Sequence, residues 1–371
     1  MRFLHKKIIF IFAIFLSQFI SSDLSKLNVP EGFEISVFNA EITNPRQMVE
    51  GDDYIFVGSR SAGNVYAIKK GNSTESLVLL EDLNAPSGVA LHEGNLYIAA
   101  VDKILVIKNI EQRMELGTGL VAEIFFDALP RKDMWNPMRK GWHGWKWIDF
   151  GPDGNLYIAE GVPCNVCDED DERFGTILKL SDNNLSIYAD GVRNSVGFDW
   201  HPTSGEMYFT DNGRDWMGDD IPPCELNRVQ YEGEHFGFPY VHGSDVKDDG
   251  FKLPEGFEFS KPVWNFQAHT APIGMKFYDG TMFPDRYKNG IFVAQHGSWN
   301  RPAGKVGYRV LFMKTNNGLV ESSEVFIDGW LEAEISWGAP AAPLVLKDGS
   351  MLISDDRSNQ IFKVTYKNTK N

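Results

Sequence analysis

Cysteine is scarce in this chain. Its 371 residues include three, Cys164, Cys167 and Cys224, too few for a disulfide scaffold, so the core must hold by packing. Positive charge is also short: 36 Lys and Arg stand against 51 Asp and Glu, a formal net charge of −15. That argues against nucleic acid, whose phosphates need cationic side chains. No Pro- or Ser-rich linker divides the chain, and after residue 22 no apolar run is long enough to cross a bilayer. The one apolar run, Ile8 to Ile20, falls short of the roughly 20 residues of a membrane span. Arg2, His5, Lys6 and Lys7 precede it, and Ser21 and Ser22 follow. This is the layout of a cleavable secretory signal, with a retained N-terminal anchor as the alternative. The expectation is a leader over residues 1–22 and one domain over 23–371, without a membrane span, in the periplasm or outside the cell.

Aromatic residues are plentiful: 13% of the chain, with ten Trp, which suits a large packed β core. The turns carry a repeat. Gly51-Asp52-Asp53-Tyr54 leads into Ile55-Phe56-Val57-Gly58, and His92-Glu93-Gly94-Asn95 into Leu96-Tyr97-Ile98-Ala99. Pro152-Asp153-Gly154-Asn155, Thr203-Ser204-Gly205-Glu206, Asp285 to Gly290 and Lys347-Asp348-Gly349-Ser350 lead into four more such strands, starting at Leu156, Met207, Ile291 and Met351. Asp-Gly and Gly-Asn turns tolerate positive φ and mark hairpins. An apolar run precedes each turn, and a third strand often follows. Six such units predict an all-β, six-bladed β-propeller of four-stranded antiparallel blades. The alternating run Phe33 to Phe38 is expected to pair with the last blade and close the ring. Unit spacing is uneven, because long insertions fall at Pro163 to Arg173 and Asp211 to Ala271. Loops on a rigid scaffold carry function, so the site is expected on one face of the ring.

The insertions and strand ends hold distinctive motifs. They are Arg193-Asn194 before Gly197-Phe198; Thr210-Asp211-Asn212-Gly213-Arg214-Asp215 with Gly218-Asp219-Asp220, Pro222-Pro223 and Glu225-Leu226-Asn227; Gly237-Phe238-Pro239-Tyr240; His269-Thr270-Ala271-Pro272; and Gln295-His296-Gly297-Ser298-Trp299-Asn300-Arg301. In this order, over nearly the whole mature chain, they resemble the glucose/sorbosone dehydrogenase family. The resemblance implies a six-bladed propeller that binds pyrroloquinoline quinone with calcium. It further implies oxidation of the anomeric C1 hydroxyl of an aldose to the lactone, with electrons passed on to a quinone or cytochrome acceptor.

Residue by residue, bland readings stand beside these. His143, in Gly141-Trp142-His143-Gly144-Trp145, is either a structural imidazole among Trp142, Trp145 and Trp147 or, by the resemblance, the general base. Arg193 forms a surface ion pair, or with Asn194 it lies beside the quinone oxygens and stabilises developing negative charge. Arg60, at the equivalent blade end, is a further cofactor candidate, as are His296, Asn300 and Arg301. Gln47 and His269 are candidates for the sugar. The three histidines His143, His269 and His296 also leave zinc open, although no short metal motif joins them. For calcium the resemblance points to carbonyls at Gly213 and Arg214, with Glu225 in a nearby structural site; a solvated acidic loop is the alternative. Cys164-Asn165-Val166-Cys167 lacks the second pair that zinc needs and the helix that thioredoxin-like redox work needs. A local disulfide is expected there, leaving Cys224 free.

Two departures from the family pattern bear on the cofactor. Where the family carries arginine in the last blade, this chain reads Trp337-Gly338-Ala339-Pro340-Ala341-Ala342. Gln267 stands where the glucose dehydrogenase branch has a tryptophan. Arg60, Arg301 or Lys305 are then the candidates to hold the cofactor. Two other functions remain open: a non-catalytic carbohydrate-binding propeller, favoured by Ala339 and Ala341, and a calcium-dependent lactone hydrolase.

Overall fold

The computed structural model describes residues 24–130, 143–316 and 318–367. The leader expected over residues 1–22 lies outside them. Six antiparallel sheets form a six-bladed β-propeller. The inner and second strands are Pro45–Glu50 and Tyr54–Ser59 in blade 1, Gly88–His92 and Asn95–Ala99 in blade 2, and Ile148–Phe150 and Leu156–Glu160 in blade 3. They are Phe198–Trp200 and Met207–Asp211 in blade 4, Pro272–Phe277 and Ile291–Gln295 in blade 5, and Pro340–Val345 and Met351–Asp355 in blade 6. The six repeats found in the sequence are the six second strands. They are almost wholly buried, because each blade is sandwiched between neighbours. That is why they read as continuous apolar runs rather than alternating ones.

The N-terminal strand Phe33–Asn39 is the outer strand of blade 6, paired antiparallel with Gln360–Tyr366. Phe33 meets Phe283, Tyr287 and Phe326 edge-on, at 4.8, 5.3 and 5.0 Å between ring centres. The closing strand is thereby anchored in the aromatic core between blades 5 and 6. Blade 3 departs from the expected four strands: Glu234–His235 adds a short parallel strand beside Asn184–Asp190. The long insertion of blade 4 also carries its own hairpin, Val241–His242 with Val246–Lys247. Among the described residues no helix is long and apolar enough to cross a membrane.

The inner strands crowd one another around the axis, and glycine permits this. A Cβ on Gly197 would lie 1.9 Å from the Ile273 carbonyl oxygen, and one on Gly274 would lie 2.4 Å from that of Ala341. Both obstacles are backbone, which cannot swing aside. The small residues of the last blade have the same cause: Ala342 also faces Gly274, and Ala341 packs with Val196 and Ile273. Gly197→Ala should therefore part blades 4 and 5 and cost about 1–3 kcal/mol or more, as overpacking does. Chemical denaturation checks this; an unaltered midpoint would mean that the ring yields at no cost.

Near the axis, Lys146 and Glu160 form a fully buried ion pair at 2.6 Å. Burial raises the Glu160 carboxyl to about 7 despite the lysine. Removing one partner of such a pair costs about 3–5 kcal/mol, so Lys146→Met should destabilise the fold. A carboxyl raised above its unfolded value weakens the folded state as pH rises through that value. The loss in Lys146→Met should thus be larger near about pH 8 than near about pH 5, measured as melting temperature against the parent.

Candidate functional site

The loops entering the inner strands and leaving the second strands open on one face, and there they enclose a cavity of about 480 Å³. Blade 1 contributes Arg46 and Arg60, and the entry to blade 3 contributes His143 and Trp145. Blade 4 supplies Arg193, Asn194, Asn212, Gly213 and Cys224. Blade 5 adds His269, His296, Trp299 and Asn300; blade 6 adds Arg357. Backbone strain gathers here. His143, His269, Ala271 and Tyr308 line the cavity at φ of 58, 66, 49 and 55°, a left-handed region costly for residues with a Cβ and enriched at functional sites.

His143 is 6% exposed. Its Nδ1 lies 2.9 Å from the Val162 carbonyl oxygen, which can only accept, so Nδ1 carries a proton. The neutral ring then presents its lone pair at Nε2. Burial, and after it the charge of Arg193, hold the imidazole well below its ordinary value. The ring is therefore neutral at neutral pH. Gly161 lets this segment close: a Cβ there would lie 2.6 Å from the His143 carbonyl oxygen.

Arg193 is 3% exposed, which removes the surface ion pair reading. Its guanidinium donates to the Asn165 carbonyl at 2.7 Å, to the Asn165 side-chain oxygen at 2.9 Å and to the Asn212 carbonyl at 2.9 Å. The Asp215 carboxylate is 3.7 Å away. Asp211 shapes the turn beneath: its two oxygens accept the backbone N–H groups of Arg193 and Asn194 at 2.8 and 2.6 Å. Burial raises this carboxyl to about 6. Two amide oxygens in the same corner, Asn194 Oδ1 and Asn212 Oδ1, are buried without a hydrogen-bond partner.

A second group of charges comes from blades 5, 6 and 1. Buried Asp356 forms ion pairs with Arg46 at 2.8 Å and Arg60 at 3.6 Å, and its other oxygen accepts from His296 Nε2 at 2.6 Å. Arg46, His296 and Arg60 hold its carboxyl well below the usual carboxylate range, against burial. The Arg60 guanidinium lies over the Trp145 ring at 4.0 Å and that of Arg357 near Tyr308 at 5.6 Å. In a chain of net charge −15, four arginines and one carboxylate line this cavity.

Most of the residues singled out from sequence converge here: His143, Arg193, Asn194, Arg60, His296, Asn300, His269 and Gly213. Others do not. The Gln47 amide is committed to blade joints, donating to the Ile148 carbonyl and accepting from the N–H groups of Val89 and Ile148. Arg301 is held by Asp219, Asp220 and Gly304, and Lys305 by the Glu334 carbonyl; neither lines the cavity. Arg214 pairs with Asp248. Glu225 lies buried beside Asp211 on the neighbouring strand, accepts from Asn227 and Gly243, and is raised to about 8 by burial and by Asp211. Cys164 and Cys167 form a disulfide, and Cys224 is free and buried. Among the described residues the histidines form no metal cluster; the one group of possible ligands is that disulfide pair with Glu169. Sequence reasoning missed Arg46, Trp145, Asp356 and Arg357. Their signal was positional: Asp356 and Arg357 follow the sixth repeat strand as Arg60 follows the first.

Comparison with known proteins bears on this cavity. A family model described as Glucose / Sorbosone dehydrogenase matches residues 130–298. The chain is 35% identical to an uncharacterized protein of Borreliella burgdorferi, over 92% of this chain and 91% of that one. Two solved structures share the fold at 17 and 16% identity. One is the holo form of the pyranose dehydrogenase PQQ domain from Coprinopsis cinerea, with a TM-score of 0.75 over 91% of this chain and 97% of that one. The other is the PQQ-bound aldose sugar dehydrogenase from Streptomyces coelicolor, with a TM-score of 0.64 over 92% and 100%.

Proposed function

We propose that this chain, which belongs to the glucose/sorbosone dehydrogenase family, oxidises the C1 hydroxyl of an aldose to the lactone in this cavity, using pyrroloquinoline quinone. The observation that carries the reading is the charge of the cavity. Four arginines in an acidic protein suit an anionic ligand, and a quinone bearing carboxylates is one. Arg46, Arg60 and Arg357 take the place of the arginine absent at Ala339 and Ala341, with Trp145 as a flat apolar wall. Asn194 and Asn212, with buried unpartnered oxygens, and the carbonyls of Gly213 and Arg214 offer the hard donors that calcium prefers. Glu225 and Asp211, two buried carboxyls on paired strands, suit a separate structural calcium.

When bound, pyrroloquinoline quinone supplies a two-electron acceptor for the hydride that leaves C1. The protein's share is protonic and electrostatic. His143 Nε2 takes the proton of the C1 hydroxyl as the C1–O bond gains double-bond character, and the lactone is the product. The Nδ1–H bond to Val162 keeps Nε2 in acceptor form until that proton arrives. Arg193, fixed by three hydrogen bonds, stabilises negative charge as it develops. His269 and Asn300 orient the sugar hydroxyls, and electrons pass on to an external quinone or cytochrome.

The test is reconstitution. Metal-free protein is titrated with pyrroloquinoline quinone, with and without calcium, then assayed for dye reduction with a panel of aldoses. Calcium-dependent uptake of one quinone per chain and aldose-dependent reduction are expected. Sugar binding without turnover would establish a carbohydrate-binding propeller instead, and lactone hydrolysis without quinone would establish a hydrolase.

A further inference from the structure

Tryptophan is costly to leave in water, since its large apolar area is usually covered. Among the described residues two tryptophans are exposed, Trp216 at 66% and Trp299 at 68%. They belong to different blades, yet their rings meet edge-to-face at 5.6 Å and 87°. Trp299 lines the cavity, and Trp216 follows Asp215, which also lines it. An exposed aromatic patch at the mouth of a polar cavity calls for a ligand.

The loops that carry the pair are fixed to one another and to Arg193. Asn300, next to Trp299, donates to the carboxylate of Asp215, next to Trp216. The Asp215 N–H donates to Asn165 Oδ1 at 2.8 Å, and the same oxygen accepts from Arg193 at 2.9 Å. His269 Nε2 donates to the Gly218 carbonyl at 2.7 Å, and Arg301 donates to the Asp219 carbonyl at 3.2 Å. Trp216 is held at a φ of 72°, a conformation that persists only where its surroundings impose it. The platform is thus rigid before any ligand arrives, which lowers the entropy lost on binding.

We propose that Trp216 and Trp299 are the binding platform for a second sugar ring, so that the substrate class is an oligosaccharide with a free reducing end. The inference rests on the reading that the cavity oxidises an aldose. A pyranose has one apolar C–H face and a hydroxyl rim. Indoles on loops that also carry Asp219, Asp220, Asn300 and Arg301 match both, by stacking and by hydrogen bonds. A protein partner fits less well. Stable interfaces bury on the order of 1,200 Å² or more around an apolar centre depleted in charge, whereas here two rings stand amid charged residues.

The experiment compares glucose with cellobiose and maltose, on the protein loaded with quinone and calcium and on the unloaded protein. The unloaded protein is read by intrinsic tryptophan fluorescence and calorimetry, and the loaded protein by KM and kcat. The parent should bind a disaccharide more tightly than glucose. Trp216→Ala should raise the disaccharide KM about tenfold more than the glucose KM, with kcat little affected. It should weaken disaccharide binding to the unloaded protein in step, and Trp216→Phe should restore most of both. Equal effects on both sugars, or none on either, would overturn the platform. So would a loss confined to reduction of a cytochrome, with sugar KM held; that result assigns the pair to an electron-accepting protein. A parent that binds disaccharides through Trp216 yet oxidises no aldose keeps the platform and removes the dehydrogenase reading.

Discussion

His143→Asn should lower kcat for aldose oxidation by about 10²–10⁴-fold, the usual contribution of a positioned general base, while quinone uptake stays within a few-fold of the parent. Asparagine is the informative replacement. His143 sits at a φ of 58°, which asparagine tolerates better than alanine, so lost turnover cannot be assigned to a distorted loop. His143→Ala should show the same kinetic loss with added destabilisation. The pH profile gives an independent check. The neutral ring is the active form, and burial with Arg193 holds the imidazole well below 6.5. The profile of kcat/KM should therefore stay level through the ordinary imidazole range and fall only at more acid pH. An acid limb centred near the ordinary value would mean that another group, or a hydrated histidine, takes the proton.

Asp356→Ala should be among the most damaging changes near the cavity, although its carboxylate lies behind the lining. It would leave Arg46 buried without its carboxylate and free Arg60 and His296. Breaking a buried pair in this way costs about 3–5 kcal/mol. Asp356→Asn preserves the shape and isolates the charge. Arg46, His296 and Arg60 depress the Asp356 carboxyl, so the stabilisation is present above its unfolded value and is lost only as pH falls through the folded one. The melting-temperature gap between parent and Asp356→Asn should then persist from neutral pH down to about pH 5. Both variants should weaken quinone uptake at least tenfold, because the arginines lose the group that aims them. Normal uptake in Asp356→Asn, with stability lost, would confine Asp356 to folding and take Arg46 and Arg60 out of the cofactor's hold.

The ring was legible in sequence because its strands are local. Each second strand is a buried apolar run opened by a turn that needs Gly or Asp, and six such runs count the blades. The closing strand was legible from the alternation of Phe33 to Phe38. The site was partly legible, for a different reason. His143, Arg193 and His296 stand in motifs that resemble a family, whereas Arg46, Asp356 and Arg357 stand in none. The Arg46–Asp356 pair joins blade 1 to blade 6, from opposite ends of the chain, and no short pattern records it. Gln47 misled because polar groups near the axis serve two ends. Some face the cavity, and others, like Gln47, satisfy backbone groups at blade joints. Ala339 and Ala341 were read as a gap in the cofactor site. In the fold Ala341 packs at the axis, and the Ala339 N–H caps Asp355 at 2.9 Å.

The most direct test of sugar oxidation in this cavity is a single turnover without external acceptor. Protein loaded with pyrroloquinoline quinone and calcium is mixed anaerobically with an excess of aldose, and the oxidised quinone absorbance is followed while the sugar product is identified. The expected result is loss of that absorbance in step with about one lactone per chain, slowed at least a hundredfold in His143→Asn. A quinone spectrum that persists in the presence of every aldose offered, or one that decays as fast in His143→Asn as in the parent, would contradict the account.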